Sequence, residues 1–548
     1  MRRALIAALL LSMMCSTTSA APAEGGDDAG AQMRRAQEAL ERQRVIDQIN
    51  EDEAGRRAEV EQEKPTEQSD QSAVTFRLTR VEFSPSEILS TEELQTIVDE
   101  YLDHDISLND INAMIEKINA LYADKGYMTC RAFLPPQRIH DGVVQIGLLE
   151  GRTGEVNVFN NKHTLDSYIK KSFPLSKGAL DNTVRVNEHL QWFNGVNDVQ
   201  LRMAMKAGSE FGTTDYDIYA FEPANQRLSI MVDNNGYDSS GRWREYVFYN
   251  NRSLTNQRDA FRLYWQHSKG TDAWGTGYSL PLGHRGIKLD FDYSKNDTET
   301  IKGRMKTFGV ESDSYSAGVT LRVPFKIDRY SRYEAGFQYQ HQESQTDFGT
   351  KTNARLRWVD DNVNRYIPYV SFTHYGDHSV FYHKHSARFI RRQDLTGATG
   401  DAVNYELNGF WQRQWSGGQS LQSSFEAQLS SRQGLGSSDR FFVGGNNSVR
   451  GYEESFLGGE EGFTANLEYV LPLDRARRLR ALTFVDYGRV YGSTVVDGEN
   501  DIVSTGVGLN AYLKNLSMSL TLGVPLKRHF GGEHLDKTRV HFSINGSI

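Results

Sequence analysis

From Arg227 to the carboxyl terminus, apolar and polar residues alternate in successive runs of about ten. In one run Leu516, Met518, Leu520, Leu522, Val524 and Leu526 share a face, opposite Ser517, Ser519, Thr521, Gly523 and Pro525. Another sets Val503, Thr505, Val507, Leu509, Ala511 and Leu513 against Ser504, Gly506, Gly508, Asn510 and Tyr512. Val403, Tyr405, Leu407 and Trp411 oppose Asn404, Glu406, Asn408 and Gln412, and residues 421–429 continue the pattern. A period of two predicts strands but does not separate a soluble sandwich from a membrane barrel. The polar face is more informative: uncharged-polar residues, glycine and scattered charge suit a wet lumen behind a lipid-facing apolar face. The run length also fits a tilted membrane strand. In hydrocarbon an open sheet edge would leave unpaired backbone groups, so the sheet must close. Sixteen or seventeen runs can be counted. A barrel with both ends in one compartment needs an even number, which predicts sixteen, with Asn353 to Trp358 left to a long loop. The last run, Val540, Phe542 and Ile544 through Ile548, alternates as a closing strand should, although it ends in Ile rather than the terminal Phe common in such barrels.

Residues 76–224 follow another rhythm. Phe76 to Phe83 reads as a strand, and Ser90-Thr91-Glu92-Glu93 is a capping box that opens a helix. A second helix starts near Ser107, with Ile111, Met114, Ile115, Ile118, Leu121 and Tyr122 on one face. Strands at residues 128–134 and 142–149 complete a strand-helix-helix-strand-strand unit. The order repeats from Glu155: a strand at 156–159, helices at 165–173 and 184–193, and strands at 199–206 and 216–221. Two tandem α+β modules, 75–151 and 152–224, are the simplest reading, each large enough for a modest core.

The amino terminus carries a basic start (Arg2, Arg3), an apolar run to Met14 and small residues at Thr18-Ser19-Ala20, which is a secretory signal peptide over residues 1–20. Met14 before Cys15 argues against a lipoprotein signal. Cys130 then stands alone in an apolar run and reads as a core residue. Within 21–63, Ala31 to Glu63 favours helix but is nearly all polar, too polar to bury a face in a core. It fits either a solvated leader or a helix inside a water-filled channel. Residues 64–74, with Pro65, read as a flexible tether. A net charge of −9 argues against a nucleic-acid binder.

The barrel's longest polar interruption lies near 434–462, where "GGNNSVRGYEESFLGGEEG" sets Arg450 among acids and glycines. Downstream, Leu482, Phe484, Asp486 and Gly488 share one strand face, and Thr483, Val485 and Tyr487 the other. A carboxylate facing lipid would be costly, so the Asp486 face must line the lumen and find a partner or water. The residues alone favour the plainer reading of Arg450 as a solvated arginine on an external loop.

These motifs resemble those of the two-partner secretion transporters, the TpsB family. "GYMTCRAFLPPQRIHDGVVQIGLLEG" is similar to the signature ending that family's first periplasmic POTRA module, and it places Gly126, Tyr127, Arg131, Leu134, Pro135, Gln137, Gly142, Glu150 and Gly151 at signature positions. "VRGY", Val449, Arg450, Gly451 and Tyr452, followed by Glu454, resembles the family's loop six. "FVDYG", with Phe484, Asp486 and Gly488, resembles its barrel-wall motif. Glu460 departs from the family's usual Asp while keeping the charge. The resemblance implies two POTRA domains and a sixteen-stranded barrel over 225–548, in a bacterial outer membrane with the POTRA domains periplasmic. It implies a plug helix lying in the pore and a loop six folded inward, with Arg450 paired to Asp486. It also implies a monomeric, non-enzymatic transporter without cofactor, in contact with lipid. The implied partner is a large β-helical exoprotein, bound through its amino-terminal secretion domain and exported unfolded.

A BamA-like assembly insertase shares the loop-six motif but usually has more POTRA modules and no polar plug. A passive porin needs neither the modules nor the loop. His374, His378, His383 and His385 cluster, yet lack a fixed third ligand and read as rim residues rather than a metal site. No Ser-His-Asp order or paired-carboxylate motif stands out. Trp243, Trp265, Trp274, Tyr293, Tyr339 and Trp415 suit interfacial girdles.

Overall fold

The computed structural model describes residues 28–55, 75–349, 355–493, 495, 498–530, 533–535 and 538–548. The signal peptide, the tether and residues 56–63 of the expected helix lie outside the described residues. The described residues form two compact units: 224–548 together with 28–50, and those within 51–223.

Sixteen antiparallel strands close into one barrel. They are β1 (Gln226–Asp233), β2 (Arg244–Asn251), β3 (Ala260–Ser268), β4 (Thr271–Pro281), β5 (Lys288–Glu299), β6 (Glu311–Ile327), β7 (Ser331–Phe348) and β8 (Leu356–Tyr375). The second half comprises β9 (Ser379–Gln393), β10 (Thr399–Gln414), β11 (Ser420–Ser430), β12 (Glu461–Pro472), β13 (Leu479–Tyr491), β14 (Asp501–Leu513), β15 (Leu516–Pro525) and β16 (Arg539–Ser547). Each strand pairs with the next in sequence, and β16 returns to β1 through a register running from Ser543↔Asp233 to Ser547↔Ser229. The parity read from sequence holds: Met518, Leu520 and Leu522 face outward while Thr521 and Gly523 are buried inward. Trp243, Trp265, Trp274 and Trp415 are exposed on the outside, where an amphipathic ring suits a membrane interface.

One expectation fails. Leu356 to Trp358 belong to no loop; they begin β8, a 20-residue strand that runs unbroken to Tyr375. The seventeenth run was the upper part of a strand much longer than a bilayer requires.

The lumen is occupied. Helix Ala29–Gly55 enters it and is held by polar contacts to several strands. Its first turn bonds to β5 and β6, with the Ala29 N–H donating to Ser312 and Asn296 donating to the Ala29 carbonyl. Gln37 reaches Ser294 on β5 and Gln340 on β7. Glu41 lies 3.8 Å from Lys384 on β9, and Arg42 pairs with Glu426 on β11. A sixteen-stranded barrel leaves an aqueous channel, and a polar helix about 10–12 Å across fits such a space without an apolar face.

In the second unit, two α+β modules follow one another. In the first, helices Thr91–Val98 and Leu108–Asp124 begin with capping boxes on Ser90 and Ser107. They pack Ile111, Met114, Ile118 and Tyr122 onto a sheet ordered Arg80–Phe83, Val143–Leu149, Arg131–Phe133. The extended segment from Phe76 is two strands, because the chain changes partner at Leu78: Thr75–Arg77 pairs with Asp105–Ser107, and Arg80–Phe83 runs parallel to Val143–Leu149. The 128–134 run shortens to Arg131–Phe133, since the chain turns with the Cys130 N–H on the Tyr127 carbonyl. Cys130 is buried, and that burial pushes its thiol up to about 11, leaving it inert. The second module packs helix Thr183–Val196, through Val186, Leu190 and Phe193, onto a sheet ordered Arg152–Phe159, Thr213–Phe221, Gln200–Ala207.

Glu150 ties the first module together. It accepts bonds from the Ser86 hydroxyl, the backbone N–H groups of Glu87 and Ile88, and the Tyr122 hydroxyl. Burial opposes the charged form, but these donors outweigh it and hold the carboxyl below the usual glutamate range. A depressed folded-state value contributes stability above the unfolded carboxyl's value and loses it as pH falls through the folded one. Glu150→Gln should therefore lower the melting temperature of the α+β unit at neutral pH. The gap to wild type should narrow as pH is lowered through the carboxylate range, measured by calorimetry; a gap independent of pH would contradict the assignment.

Candidate functional site

Residues 431–460, between β11 and β12, fold back as a structured loop. Its two legs pair as a short ladder, Phe441–Val443 against Leu457–Gly459. Between them Gly444, Gly445 and Gly451 adopt positive φ of 112°, 97° and 93°, values that favour glycine and let the chain reverse direction. Val443, Val449, Tyr452, Phe456 and Leu457 cluster with Val490, Ile502 and Phe530. Gly488 makes room for this cluster, because a Cβ there would lie 2.9 Å from a Val449 methyl.

Arg450 stands at the tip and meets the inner wall. Its Nε donates to Asp486 Oδ2 at 2.8 Å and its Nη2 to Oδ1 at 2.9 Å, a two-pronged fork. Its own backbone N–H donates to the same carboxylate at 3.1 Å. Nη1 donates to Glu468 on β12 at 2.6 Å, and the guanidinium lies 3.5 Å from the centroid of the Phe484 ring. Asp486 is fully buried on the lumen face, while Val485 next to it is half exposed outside. Removing one partner of such a pair strands a buried charge, at a cost of about 3–5 kcal/mol. Gly451 sits against β15 at Gly523, where a Cβ would come within 2.4 Å of the Gly451 nitrogen. The Tyr452 hydroxyl lies 2.9 and 2.7 Å from the Val503 and Lys527 carbonyls. Glu454 turns back to accept the Asn446 N–H and so braces the loop.

The sequence reading missed a second attachment. Asp439, on the loop's entry leg, accepts a fork from Arg365 of β8 at 2.7 and 2.9 Å, and both side chains are essentially inaccessible. Arg365 also donates to Ser438 and Gln342. The lumen helix grips the loop too: Arg34 donates to the Ser438 and Arg440 carbonyls of the same leg, and Arg42 to the Asn447 carbonyl near the tip. Arg35 lies over the Phe442 ring at 4.5 Å. The available signal was parity. Arg365 falls on the inward face of β8 with Asp361 and Val363, and an inward arginine requires an acceptor.

The POTRA-signature residues gather elsewhere, in the first module and its joint with the second. The Gly126 carbonyl accepts the Thr183 hydroxyl, and the Gly151 carbonyl accepts the Asp181 N–H. Gly151's own N–H points at Cys130 Sγ. Gln137 exchanges two side-chain bonds with the backbone of Gln145 and so covers the sheet edge beyond Phe133. Gly142, at φ 73°, places its carbonyl to accept from Thr79 and Arg80. Tyr127 donates its N–H to Tyr122; Leu134 and Pro135 follow Arg131–Phe133, with Arg131 exposed. His374, His383 and His385 lie on the outer face by the turn between β8 and β9, His383 Nδ1 being 2.9 Å from His385 Nε2. Among the described residues no group of side chains is arranged to hold a metal.

Residues 212–511 match the family model described as haemolysin secretion/activation protein ShlB/FhaC/HecB, more than half of the chain. The chain belongs to this family. Residues 76–151 match the ShlB-type POTRA domain. The chain is 23% identical to the outer membrane transporter CdiB of Dickeya dadantii, over 82% of this chain and 83% of that protein. It is 24% identical to a heme/hemopexin transporter protein HuxB of Haemophilus influenzae, over 75% and 76%. Its fold matches CdiB from Escherichia coli with a TM-score of 0.69 at 18% identity, covering 95% of this chain and 98% of that one. BamA from Haemophilus ducreyi lacking POTRA domains 1–3 matches less closely, with a TM-score of 0.51 at 15% identity over 87% and 100%. This family member is therefore a two-partner secretion transporter of the outer membrane, with its POTRA region in the periplasm. Within this transporter, Gly523→Ala should block seating of the loop-six tip while leaving the charged pair chemically intact. The folded barrel should persist in heat-modified electrophoresis, with loop six becoming cleavable by trypsin at Arg450; continued protection would contradict the close packing.

Proposed function

We propose that this transporter binds the amino-terminal secretion domain of one large β-helical exoprotein through its POTRA modules, and passes that protein unfolded through the barrel. In the resting state the lumen helix and loop six close the channel. One observation carries the reading: Arg450, largely covered, forks onto the fully buried Asp486 inside the barrel, when a solvated loop would leave it in water. The helix is held by hydrogen bonds and ion pairs without an apolar core, so water or an incoming polar chain can replace its contacts one at a time. In the second module, Gln200–Ala207 forms a sheet edge paired on its outer side with no strand among the described residues. That edge offers main-chain bonds to an extended client whatever its side chains. Folding of the exoprotein outside biases movement outward, and the transporter acts as a monomer without catalysing a reaction.

Arg450→Ala should cut secretion of the partner at least tenfold while the barrel still assembles, as read from the partner in culture supernatant and from heat-modifiable migration. Normal export would overturn the docking role. Deleting residues 29–55 should raise single-channel conductance in planar bilayers; unchanged conductance would mean that the helix does not obstruct the channel.

A further inference from the structure

We propose that His541, on the closing strand β16, is a second positioning point for the loop-six tip and ties its docking to the seam where the barrel closes. This rests on the latch reading above. His541 is buried on the inner face, and its Nε2 lies 3.3 Å from the backbone nitrogen of Gly451. A backbone N–H can only donate, so Nε2 must present its lone pair. Nδ1 lies 2.9 Å from Asn235 Oδ1 and carries the proton donated there. The ring is thus used as a single neutral tautomer, oriented from behind by an amide.

Asn235 belongs to the connection that follows β1, across the closing seam from β16. Its N–H donates to Asp233, the last residue of β1, which Arg244 holds with a fork at 2.8 and 2.9 Å. Next to it the Asn234 side chain donates to the Val540 carbonyl and accepts the Phe542 N–H, extending the ladder beyond the pairing that ends at Ser543↔Asp233. Hydrogen bonds therefore run from the loop tip through His541 to the first connection of the barrel. Arg450 of the loop, Arg539 of β16 and Arg242 of the connection all interact electrostatically with the imidazole, and Arg539 is paired with Asp238 and Glu453. A cationic side chain at 541 would meet these guanidiniums and offer no acceptor. Neighbouring residues Arg450 and Gly451 thereby fasten to opposite sides of Gly523: to β12 and β13 on one side, and to β16 on the other.

The test places a nitroxide at Asn447→Cys in full-length transporter carrying Cys130→Ala, purified in detergent, and reads the mobile fraction of the spectrum. His541→Leu removes the acceptor, and Asn235→Ala removes the group that fixes the tautomer. Each should raise the undocked-to-docked ratio about fivefold, the shift expected for one ordinary hydrogen bond. His541→Gln, which restores a neutral acceptor at similar reach, should return it toward wild type. Arg450→Ala is the control for the latch. If it mobilises the label while both His541→Leu and Asn235→Ala stay at the wild-type value, the role of His541 is overturned and the latch stands. If Arg450→Ala also leaves the label immobile, the latch itself is wrong. Equal mobility in His541→Gln and His541→Leu would likewise overturn the acceptor role. Should His541→Leu fail to reach the folded, heat-modifiable form, Asn235→Ala decides the question.

Discussion

Hydrocarbon offers no hydrogen bonds, and that one constraint organises the membrane unit. Every backbone N–H and C=O along the wall must find a partner in a neighbouring strand, so the sheet closes on itself with β16 beside β1. Closure divides the side chains by parity and sends the polar half inward. Inside, charges removed from bulk water need partners: Arg322 with Asp290, Arg388 with Glu406, Arg365 with Asp439 and Arg450 with Asp486. Two of these four pairs are completed by a residue of loop six. The loop is thus part of how the wall satisfies its own charges.

The two loop-six attachments have opposite polarity. On the entry leg the loop supplies the acid and the wall the base; at the tip the assignment is reversed. Buried pairs repay their desolvation poorly as stability, but their mismatch is severe, and they are well suited to fixing register. A loop shifted so that Asp439 faced Asp486 would set like charges together. The lumen helix reads the same leg through backbone carbonyls, bonds that are indifferent to side-chain identity.

Much of this was legible in the sequence because period two is a local signal. Val485 outside and Asp486 inside follow from alternation alone, and so does the closing strand. The capping boxes at Ser90 and Ser107 are local too. What escaped depends on contacts distant in sequence. Arg365 and Asp439 are 74 residues apart, and nothing near either names the other. Glu468 was hidden among several inward glutamates until the loop's path chose it. The change of partner at Leu78 and the full length of β8 were missed because alternation marks extended chain without saying what it pairs with, or where the bilayer ends.

The ladder joining the two legs of loop six has a mechanical consequence. Its Leu457–Gly459 side passes into β12 through Glu460 alone, whereas Phe441–Val443 is reached from β11 by the ten-residue stretch 431–440. Spare length lies on one side only, and it is held down until Asp439 leaves Arg365 and Arg34 releases the Ser438 and Arg440 carbonyls. With its own apolar cluster the loop would travel as a folded flap, pivoting on the β12 jamb and paying out the longer leg as it turns. Its free edge is therefore the side facing β8 to β11, where the lumen helix makes several of its ionic contacts.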